Sequence, residues 1–225
     1  MPHHHQHHPH ADHPDAETDA VAWWEEKYGT GSEIWSGRPN HMLVDLAGDL
    51  APGRALDLGC GEGADALWLA ERGWTVTGLD ISPTALARAD QAARRAGLAD
   101  RTDWVAADLA DPATLAAIGP VDLVNACFLQ TPLDFPRSDV LRRAAGLVAT
   151  GGHLLVVAHA AAPPWADIPD ELLDSFPTPD GELAELDLAP EAWEVLVAEA
   201  RERPATGPDG EHAVLLDSVV LTRRR

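Results

Sequence analysis

Short apolar runs alternate with longer amphipathic segments through the middle of the chain. The apolar runs predict five strands: Ala55–Leu58, Trp74–Leu79, Trp104–Ala106, Val121–Ala126 and Leu154–Ala158. The amphipathic segments predict three helices: Ala64–Arg72, Thr84–Ala96 and Asp139–Ala149. Short all-apolar strands separated by helices are typical of a parallel sheet whose two faces are both covered. We therefore expect an α/β, doubly wound fold with a mostly parallel sheet.

Capping and turn residues predict where these elements begin and end. Pro83 takes the first position of its helix and Gly97 ends it. Ser138 is a predicted N-cap, and the pair Gly151-Gly152 predicts a turn before the fifth strand.

The two ends of the chain follow different patterns. At the carboxyl end, the apolar runs Trp193–Arg201 and His212–Thr222 are joined by Pro204–Glu211, whose Pro208-Asp209-Gly210 is a turn signal. This pattern predicts an antiparallel hairpin at the sheet edge. A short helix is predicted at Gly181–Leu186. At the amino end, Thr18 is a plausible N-cap for a first, Trp-rich helix, and a second runs from about His41 to Leu50.

Residues 1–16 contain seven of the eleven histidines and no core-forming residues. They predict a disordered arm, separate from a domain at residues 17–225. Neutral imidazoles bind transition metals, so the arm is either a loose chelator or a tag-like terminus. We expect no metal site within the domain.

Charge and cysteine content narrow the possible partners. The 225 residues hold 16 Lys+Arg against 37 Asp+Glu, a net charge of −21. Nucleic-acid affinity depends on cations that neutralise phosphates, so no nucleic-acid partner is expected. The two cysteines cannot form a disulfide framework, and no apolar stretch suits a signal peptide or membrane span. We expect a cytoplasmic monomer or homodimer that acts on a small molecule.

A glycine-rich loop follows the first predicted strand and reads Asp57-Leu58-Gly59-Cys60-Gly61-Glu62-Gly63. Glycines at alternate positions let a backbone turn tightly and approach a ligand closely. Asp80 ends the second predicted strand and Asp108 the third, where carboxylates can accept hydrogen bonds from a ribose and from a purine amine. The sequence therefore predicts a nucleoside site at the carboxyl ends of the strands.

The loop differs from the G-x-G-x-x-G pattern of dinucleotide sites. Gly63 comes one position early, and Asp57 stands beside the loop. That carboxylate would repel a pyrophosphate but suits a ligand with an amino group and a sulfonium. This favours S-adenosylmethionine over a nicotinamide cofactor, and a methyltransferase over a nicotinamide-dependent reductase.

Four segments together resemble the successive motifs of class I S-adenosylmethionine-dependent methyltransferases: Asp57–Gly63, Gly78–Ser82, Ala107–Leu109 and Gly151–Leu155. The resemblance covers about residues 20–222. It implies a Rossmann-like, seven-stranded, mostly parallel sheet with an antiparallel edge hairpin. A narrower likeness to the small bacterial tellurite-resistance and thiopurine S-methyltransferases is carried by the Trp-rich first helix, Gly181–Leu183 and the Trp193 strand.

The resemblance also implies roles for single residues. The loop residues that would line the methionine moiety of the cofactor are Asp57, Gly59, Cys60, Gly61 and Gly63. Those that would hold its ribose and adenine are Asp80, Ile81, Asp108 and Leu109, while the Asn125 backbone would lie near its amino group. Nothing in the sequence offers Cys60 a base, so it is expected to be a loop residue and not a nucleophile.

Candidates for the methyl-acceptor side lie after the fourth and fifth strands and in the amino-terminal helical segment, about residues 17–50, which could form a lid. They are Trp35, Arg38, Phe128, Gln130 and Trp165. His159 ends the fifth strand and is either a general base or a strand-end histidine bonded to backbone. Arg201 and Arg203, in the strand before the hairpin turn, either face an anionic substrate or are exposed edge-strand arginines, and the second reading is favoured.

Methyl transfer from a sulfonium is an in-line displacement, in which alignment and desolvation can supply most of the catalysis. The predicted activity is transfer of a methyl group from S-adenosylmethionine to a small molecule, with a thiol or metalloid acceptor favoured by the narrower resemblance. N- or O-methylation of a small metabolite is the alternative. A non-catalytic metal-binding or sensor protein, in which the histidine arm matters, is a third hypothesis.

Overall fold

Seven strands form one sheet within the residues that the computed structural model describes, namely 18–31, 37–166, 168, 173, 175–207 and 209–225. They are β1 (Arg54–Leu58), β2 (Thr75–Asp80), β3 (Thr102–Ala106), β4 (Val121–Cys127), β5 (Val148–His159), β6 (Trp193–Thr206) and β7 (His212–Arg224). Their order across the sheet is β3-β2-β1-β4-β5-β7-β6. Strands β1 to β5 are parallel, and β7 is antiparallel to β5 and β6. The predicted fold class and edge hairpin are confirmed.

Helices connect the strands. They are α1 (Ala20–Gly29), α2 (His41–Ala47), α3 (Ala64–Glu71), α4 (Pro83–Ala96), α5 (Pro112–Ala116), α6 (Arg137–Ala145) and α7 (Pro179–Leu186), with a 3₁₀ turn at Ala99–Arg101. Helix α4 has Pro83 in its first turn and ends at Gly97, as predicted, and Ser82 is its N-cap. None of the described helices is long and apolar enough to cross a membrane.

Side chains of alternate strand residues build a core on each face of the sheet. Leu56 and Leu58 of β1 pack into the core that includes α6, whereas Ala55 packs into the core that includes α2 and α3. The strand order reverses between β1 and β4, which are neighbours in the sheet. Open parallel sheets bind ligands beyond the carboxyl ends of strands at such a reversal.

Two predicted N-caps are wrong. Asp19, and not Thr18, caps α1, because its carboxylate accepts hydrogen bonds from the backbone N–H groups of Val21 and Ala22. Helix α6 begins at Arg137, so Ser138 lies inside its first turn, where the serine hydroxyl donates to Glu185 instead of capping the helix.

Two predicted turns also differ from the structure, and one helix was not predicted. Gly151-Gly152 lies within the longer strand β5, at an irregular register with β4, and Gly151 has a φ of +83°. Pro204 does not end β6, because β6 is the edge strand and needs no N–H at that position. The short helix α5 was not predicted, although Asp111 as N-cap and Pro112 after it are its signal.

Candidate active site

The loop between β1 and α3 has left-handed backbone at each of its glycines. The φ angles of Gly59, Gly61 and Gly63 are +64°, +52° and +83°. A Cβ atom on Gly63 would lie 2.7 Å from the Trp104 ring and 2.9 Å from the Ala89 side chain. The loop therefore needs glycine for its backbone conformation and, at Gly63, for close packing.

Gly63→Ala is expected to destabilise the protein by about 2 kcal/mol, because left-handed strain and overpacking each cost about 1 kcal/mol or more. Gly97→Ala is the matched control, since Gly97 has a similar φ of +71° and a Cβ added there would meet no other atom within 4 Å. Thermal unfolding should show a midpoint lowered by roughly 4–8 °C for the first variant and about half of that for the second. Equal shifts would contradict the packing argument.

Asp80 closes the glycine loop from the end of β2. Its carboxylate accepts hydrogen bonds from the backbone N–H of Gly61 at 2.7 Å and of Ser82 at 2.9 Å. The side chain is 7% exposed, and burial raises its pKa although those two hydrogen bonds lower it. A carboxylate offers about four lone-pair sites, so Asp80 can hold the loop and still accept from a ligand.

A second group of buried polar side chains lies directly behind the loop. Register pairs Asp57 of β1 with Asn125 of β4. The Asn125 amide donates to Asp57 at 2.7 Å and to Asp65, in the first turn of α3, at 3.2 Å. The other oxygen of Asp65 accepts from the Asn40 backbone N–H at 2.6 Å, so the start of α2 is tied to the same group.

These carboxylates act on one another as like charges. Burial raises the pKa of Asp57 well above its ordinary value, and the negative charges of Asp65 and Asp80 raise it further. Burial also raises the pKa of Asp65. Oδ2 of Asp57 is buried and has no hydrogen-bond partner in the described part of the chain. A positive charge bound beside the loop would therefore relieve the repulsion between these carboxylates.

Neither cysteine is prepared to act as a nucleophile. Cys60 lies in the glycine loop, and the Cys127 thiol donates to Oδ1 of Asn125 at 3.2 Å. Burial and nearby carboxylates raise the pKa of both thiols well above the ordinary value. A protonated thiol is a poor nucleophile, so both cysteines are structural here.

The remaining predicted cofactor residues occupy different environments. Ile81 is half-buried next to Asp80, and Leu109 packs its side chain into the core. Asp108 is exposed, and its carboxylate accepts from the Ala110 backbone N–H at 2.8 Å. The adenine-edge role of Asp108 and Leu109 stays a prediction.

On the acceptor side, the structure brings Phe128, Gln130 and His159 together at the ends of β4 and β5. The rings of Phe128 and His159 are stacked, with centroids 4.3 Å apart and planes 21° apart. The Gln130 amide oxygen accepts from the His159 backbone N–H at 2.8 Å. A Cβ on Gly59 would lie 2.8 Å from the Leu129 side chain, so this group adjoins the glycine loop.

Two charged residues complete this group: Asp217, which sequence reasoning missed, and Arg203, which was expected at the exposed sheet edge. Asp217 of β7 lies with one carboxylate oxygen 3.5 Å from His159 Nδ1 and the other 2.5 Å from Arg203 Nε. Arg203 is not an exposed edge residue: it is half-buried, with its guanidinium 5.2 Å from the Phe128 ring centroid. The only sequence signal for Asp217 is a charged residue inside the apolar run of β7.

The other predicted acceptor-side residues are less closely placed. Arg38 is exposed at the start of the segment that leads into α2, and Trp165 is half-buried after β5. Trp35 and the histidine arm lie outside the described residues. In the part that the structure describes, no three His, Cys, Asp or Glu side chains are grouped to hold a metal ion.

A cleft of about 580 Å³ opens next to this group, between the loop after β4 and the segment leading into α7. Its lining includes Gln130, Thr131, Phe135, Arg137, Phe176 and Thr178. An ion pair of 2.6 Å between Arg137 and Glu182 joins its two sides. Its volume and mixed lining suit a small organic molecule.

Helix α1 is anchored to the start of α4, next to the glycine loop. Glu25 accepts hydrogen bonds from the Ser82 hydroxyl and from the hydroxyl and backbone N–H of Thr84, and these bonds lower its pKa. Arg88 of α4 pairs with Glu62 of the loop at 2.7 Å and donates to the Tyr28 carbonyl at 2.6 Å. These contacts hold α1 beside the glycine loop, and its role as a lid stays a prediction.

Glu25→Ala is expected to loosen α1 around Lys27, which is exposed and is the only lysine of the chain. A lysine-specific protease can cut there once the helix opens locally, and we expect cleavage to accelerate roughly 10-fold. Glu26→Ala is the control, because Glu26 is exposed on the same helix. Mass spectrometry measures the cleavage rate of each variant. Equal rates in the two variants would show that Glu25 does not anchor the helix.

The family model of a "Methyltransferase domain" matches residues 55–152, the part that contains the glycine loop, Asp80 and Asn125. This match bears out the predicted methyltransferase domain for residues 55–152.

Three curated relatives match parts of the chain. A 23S rRNA (uracil-C5)-methyltransferase of Azoarcus sp. is 46% identical over 89 residues, 37% of this chain and 21% of that protein. The 2-heptyl-1-hydroxyquinolin-4(1H)-one methyltransferase of Mycobacteroides abscessus is 46% identical over 74 residues, which are 32% of this chain and 33% of that protein. Probable thiol methyltransferase 2 of Arabidopsis thaliana is 41% identical over 68 residues, which are 29% of this chain and 30% of that protein. The chain thus spans a fifth to a third of their length.

Solved structures match nearly the whole chain. The structure described for conversion of a disulfide bond into a thioacetal group during echinomycin biosynthesis has a TM-score of 0.69 and 23% identity, covering 92% of each chain. The N-methyltransferase NodS of Bradyrhizobium japonicum, in complex with S-adenosyl-L-homocysteine, has a TM-score of 0.63 and 18% identity, covering 92% of this chain and 99% of that one. At these identities the likeness shows the fold.

Proposed function

We propose that this chain transfers a methyl group from S-adenosylmethionine to a small molecule. The observation that carries the proposal is the set of three carboxylates, Asp57, Asp65 and Asp80, around a left-handed glycine loop. One oxygen of Asp57 is buried without a hydrogen-bond partner among the described residues. A ligand with an ammonium and a sulfonium supplies the missing donor and the missing positive charge, so the residues fit this cofactor.

Each part of the site has a role in this proposal. Asp80 accepts from the ribose hydroxyls while it holds Gly61, and the glycines let the backbone approach the methionine part. The buried Asp57 and Asn125 pair faces the ammonium end. When bound, S-adenosylmethionine supplies an activated methyl group on a positively charged sulfur. The chain's own contribution is to orient that group and to exclude water from it.

The acceptor is proposed to bind in the cleft beside Gln130. The relatives that are named for small acceptors offer two classes, a hydroxyquinolone and a thiol. The thiol or metalloid acceptor of the narrower resemblance and an oxygen or nitrogen acceptor are both included in the screen below. The rRNA methyltransferase match raises RNA as another acceptor. The net charge of −21 opposes this, because such a surface repels phosphates unless a basic patch offsets it.

Two measurements test the proposal on the full chain. Calorimetry should show binding of S-adenosylmethionine and S-adenosylhomocysteine and none of NADH. A turnover screen should then include thiophenol, phenol, catechol, a primary amine, selenite, tellurite and an RNA oligonucleotide. Absence of cofactor binding would overturn the proposal, and turnover of the RNA alone would overturn its small-molecule part.

The histidine arm is tested separately by deleting residues 1–16. We expect the truncated protein to keep its cofactor affinity and its turnover. Absence of turnover in both proteins, together with zinc binding that is lost on truncation, would instead favour the non-catalytic metal-binding or sensor hypothesis.

A further inference from the structure

Asp217 is completely buried beside His159, and the two residues lie opposite each other in strands β7 and β5. Oδ2 of Asp217 is 2.5 Å from Nε of Arg203, which neutralises the carboxylate. Oδ1 lies 3.5 Å from Nδ1 of His159 and has no hydrogen-bond partner among the described residues. The His159 ring is therefore placed to donate to this oxygen after a small movement of either side chain.

The position of the imidazole proton follows from this arrangement. A buried carboxylate oxygen without a donor costs about 1–3 kcal/mol, so a proton on Nδ1 of His159 is favoured over a proton on Nε2. Arg203 already balances the charge of Asp217, so a neutral imidazole satisfies the oxygen. The 3.5 Å separation is at the outer limit of a hydrogen bond, as is common in sites without bound substrate. Nε2 is then left with a lone pair.

Two neighbours hold the imidazole in this orientation. Phe128 stacks on the ring, and its own backbone has an unfavourable φ of +56°. Gln130, which lines the cleft, is bonded to the backbone of His159. Strained backbone that is kept beside a stacked titratable ring is typical of functional sites. The His159 side chain remains 34% exposed, so its ring is accessible to an acceptor.

We propose that Asp217 is a positioning residue that holds His159 as the Nδ1–H tautomer, and that the methyl acceptor is therefore a proton-bearing oxygen or nitrogen. The second half rests on the proposed methyl transfer. In that reaction, the acceptor proton passes to Nε2 and the heteroatom's electron pair forms the bond to the methyl carbon. The electron pair of the broken carbon–sulfur bond stays on sulfur. The proton then leaves Nε2 for water.

The tautomer can be read directly by NMR of protein labelled with ¹⁵N-histidine, at a pH where imidazole is neutral. We expect His159 to carry its proton on Nδ1, with the resonances assigned by their loss in His159→Gln. An Nε2–H tautomer in the wild-type protein would overturn the proposal. This readout needs neither cofactor nor acceptor, so it stands if methyl transfer itself fails.

Asp217→Asn should abolish the Nδ1–H preference of His159. The matched control is Asp45→Asn, because Asp45 faces His41 Nδ1 at 3.7 Å in a largely exposed pair. It should leave the His159 pattern unchanged. An unchanged pattern in Asp217→Asn would contradict the positioning role. If that variant fails to fold, the His159 tautomer measured in the wild-type protein still supports or overturns the proposal.

Kinetics test the acceptor class. With phenol as acceptor, Asp217→Asn should lower kcat roughly 10- to 100-fold and leave KM within about 2-fold, since general-base help is worth about 10²–10⁴-fold. With thiophenol, whose thiolate needs no base, turnover should change little. Methylation of thiophenol but not of phenol, catechol or the amine by the wild-type protein would overturn the acceptor class. If the wild-type protein methylates none of these acceptors, the result counts against the proposed function. The role of Asp217 is then decided by the NMR measurement of the His159 tautomer.

Discussion

Asp80→Ala is expected to lower the affinity for S-adenosylmethionine by at least about 100-fold. A charged acceptor contributes about 1.5–3 kcal/mol for each hydrogen bond, and the proposed ribose contact has two. The substitution also releases Gly61, whose N–H donates to Asp80 at 2.7 Å. The protein should remain folded, because the carboxylate that is removed is one whose burial already raises its pKa. Calorimetry measures the affinity, and circular dichroism checks the fold.

The control for this prediction is Asp103→Ala, which removes an exposed carboxylate from the neighbouring strand β3. Its affinity should equal that of the wild-type protein. A second arm compares S-adenosylhomocysteine with its 2′-deoxy analogue. Wild-type protein should lose affinity when the hydroxyl is removed, whereas Asp80→Ala should discriminate little between the two ligands. Equal discrimination by both proteins would place the ribose elsewhere.

The features of the site that the sequence predicts well are local ones. The loop of Gly59, Gly61 and Gly63 is contiguous and follows directly on an apolar strand, so its left-handed backbone is implied by composition alone. Asp80 is predictable for the same reason, because a carboxylate at the end of a short apolar run lies at the carboxyl edge of the sheet. The five parallel strands follow from their apolar pattern.

The features that the sequence misses depend on register between distant segments. Asp65 resembles an ordinary first-turn acid, and nothing near it shows that Asn125, 60 residues away, will donate to it. Asp217 contacts His159 only because β7 turns back antiparallel onto β5 at one register. Arg203 is expected to be exposed because an edge strand has a solvent side, but its side chain folds back to the buried Asp217. The pairing of charges across strands is not encoded in any local pattern.

The charges beside the glycine loop predict that the Asp57 carboxylate lowers the stability of the ligand-free fold and raises the affinity for the cofactor. Its pKa is raised well above the ordinary value of 3.8 by burial and by the neighbouring carboxylates. A group with a raised folded-state pKa stabilises the fold fully below its unfolded-state pKa, and that stability is lost as the pH rises through the folded-state pKa. The ligand-free protein therefore bears the cost of this charge at neutral and alkaline pH.

Asp57→Asn should relieve that cost and weaken binding. The asparagine oxygen can still accept from Asn125, while the buried charge and its repulsion by Asp65 and Asp80 are gone. At about pH 8 we expect the unfolding midpoint of the ligand-free variant to rise by roughly 2–4 °C, equivalent to about 1 kcal/mol, and the gain to vanish near pH 4. Affinity for S-adenosylmethionine should fall about 30- to 100-fold, the value of one charged hydrogen bond of about 2–3 kcal/mol.

Asp122→Asn is the matched control, because it changes the net charge from −21 to −20 in the same way. Asp122 is exposed at the opposite end of β4, where it accepts from the Arg54 backbone N–H at 2.8 Å, a bond that asparagine preserves. It should alter neither cofactor affinity nor the pH dependence of unfolding. A destabilised Asp57→Asn that binds S-adenosylmethionine normally would show that the carboxylate serves the fold and not the ligand, because a charge kept for a cationic ligand has to cost stability when that ligand is absent.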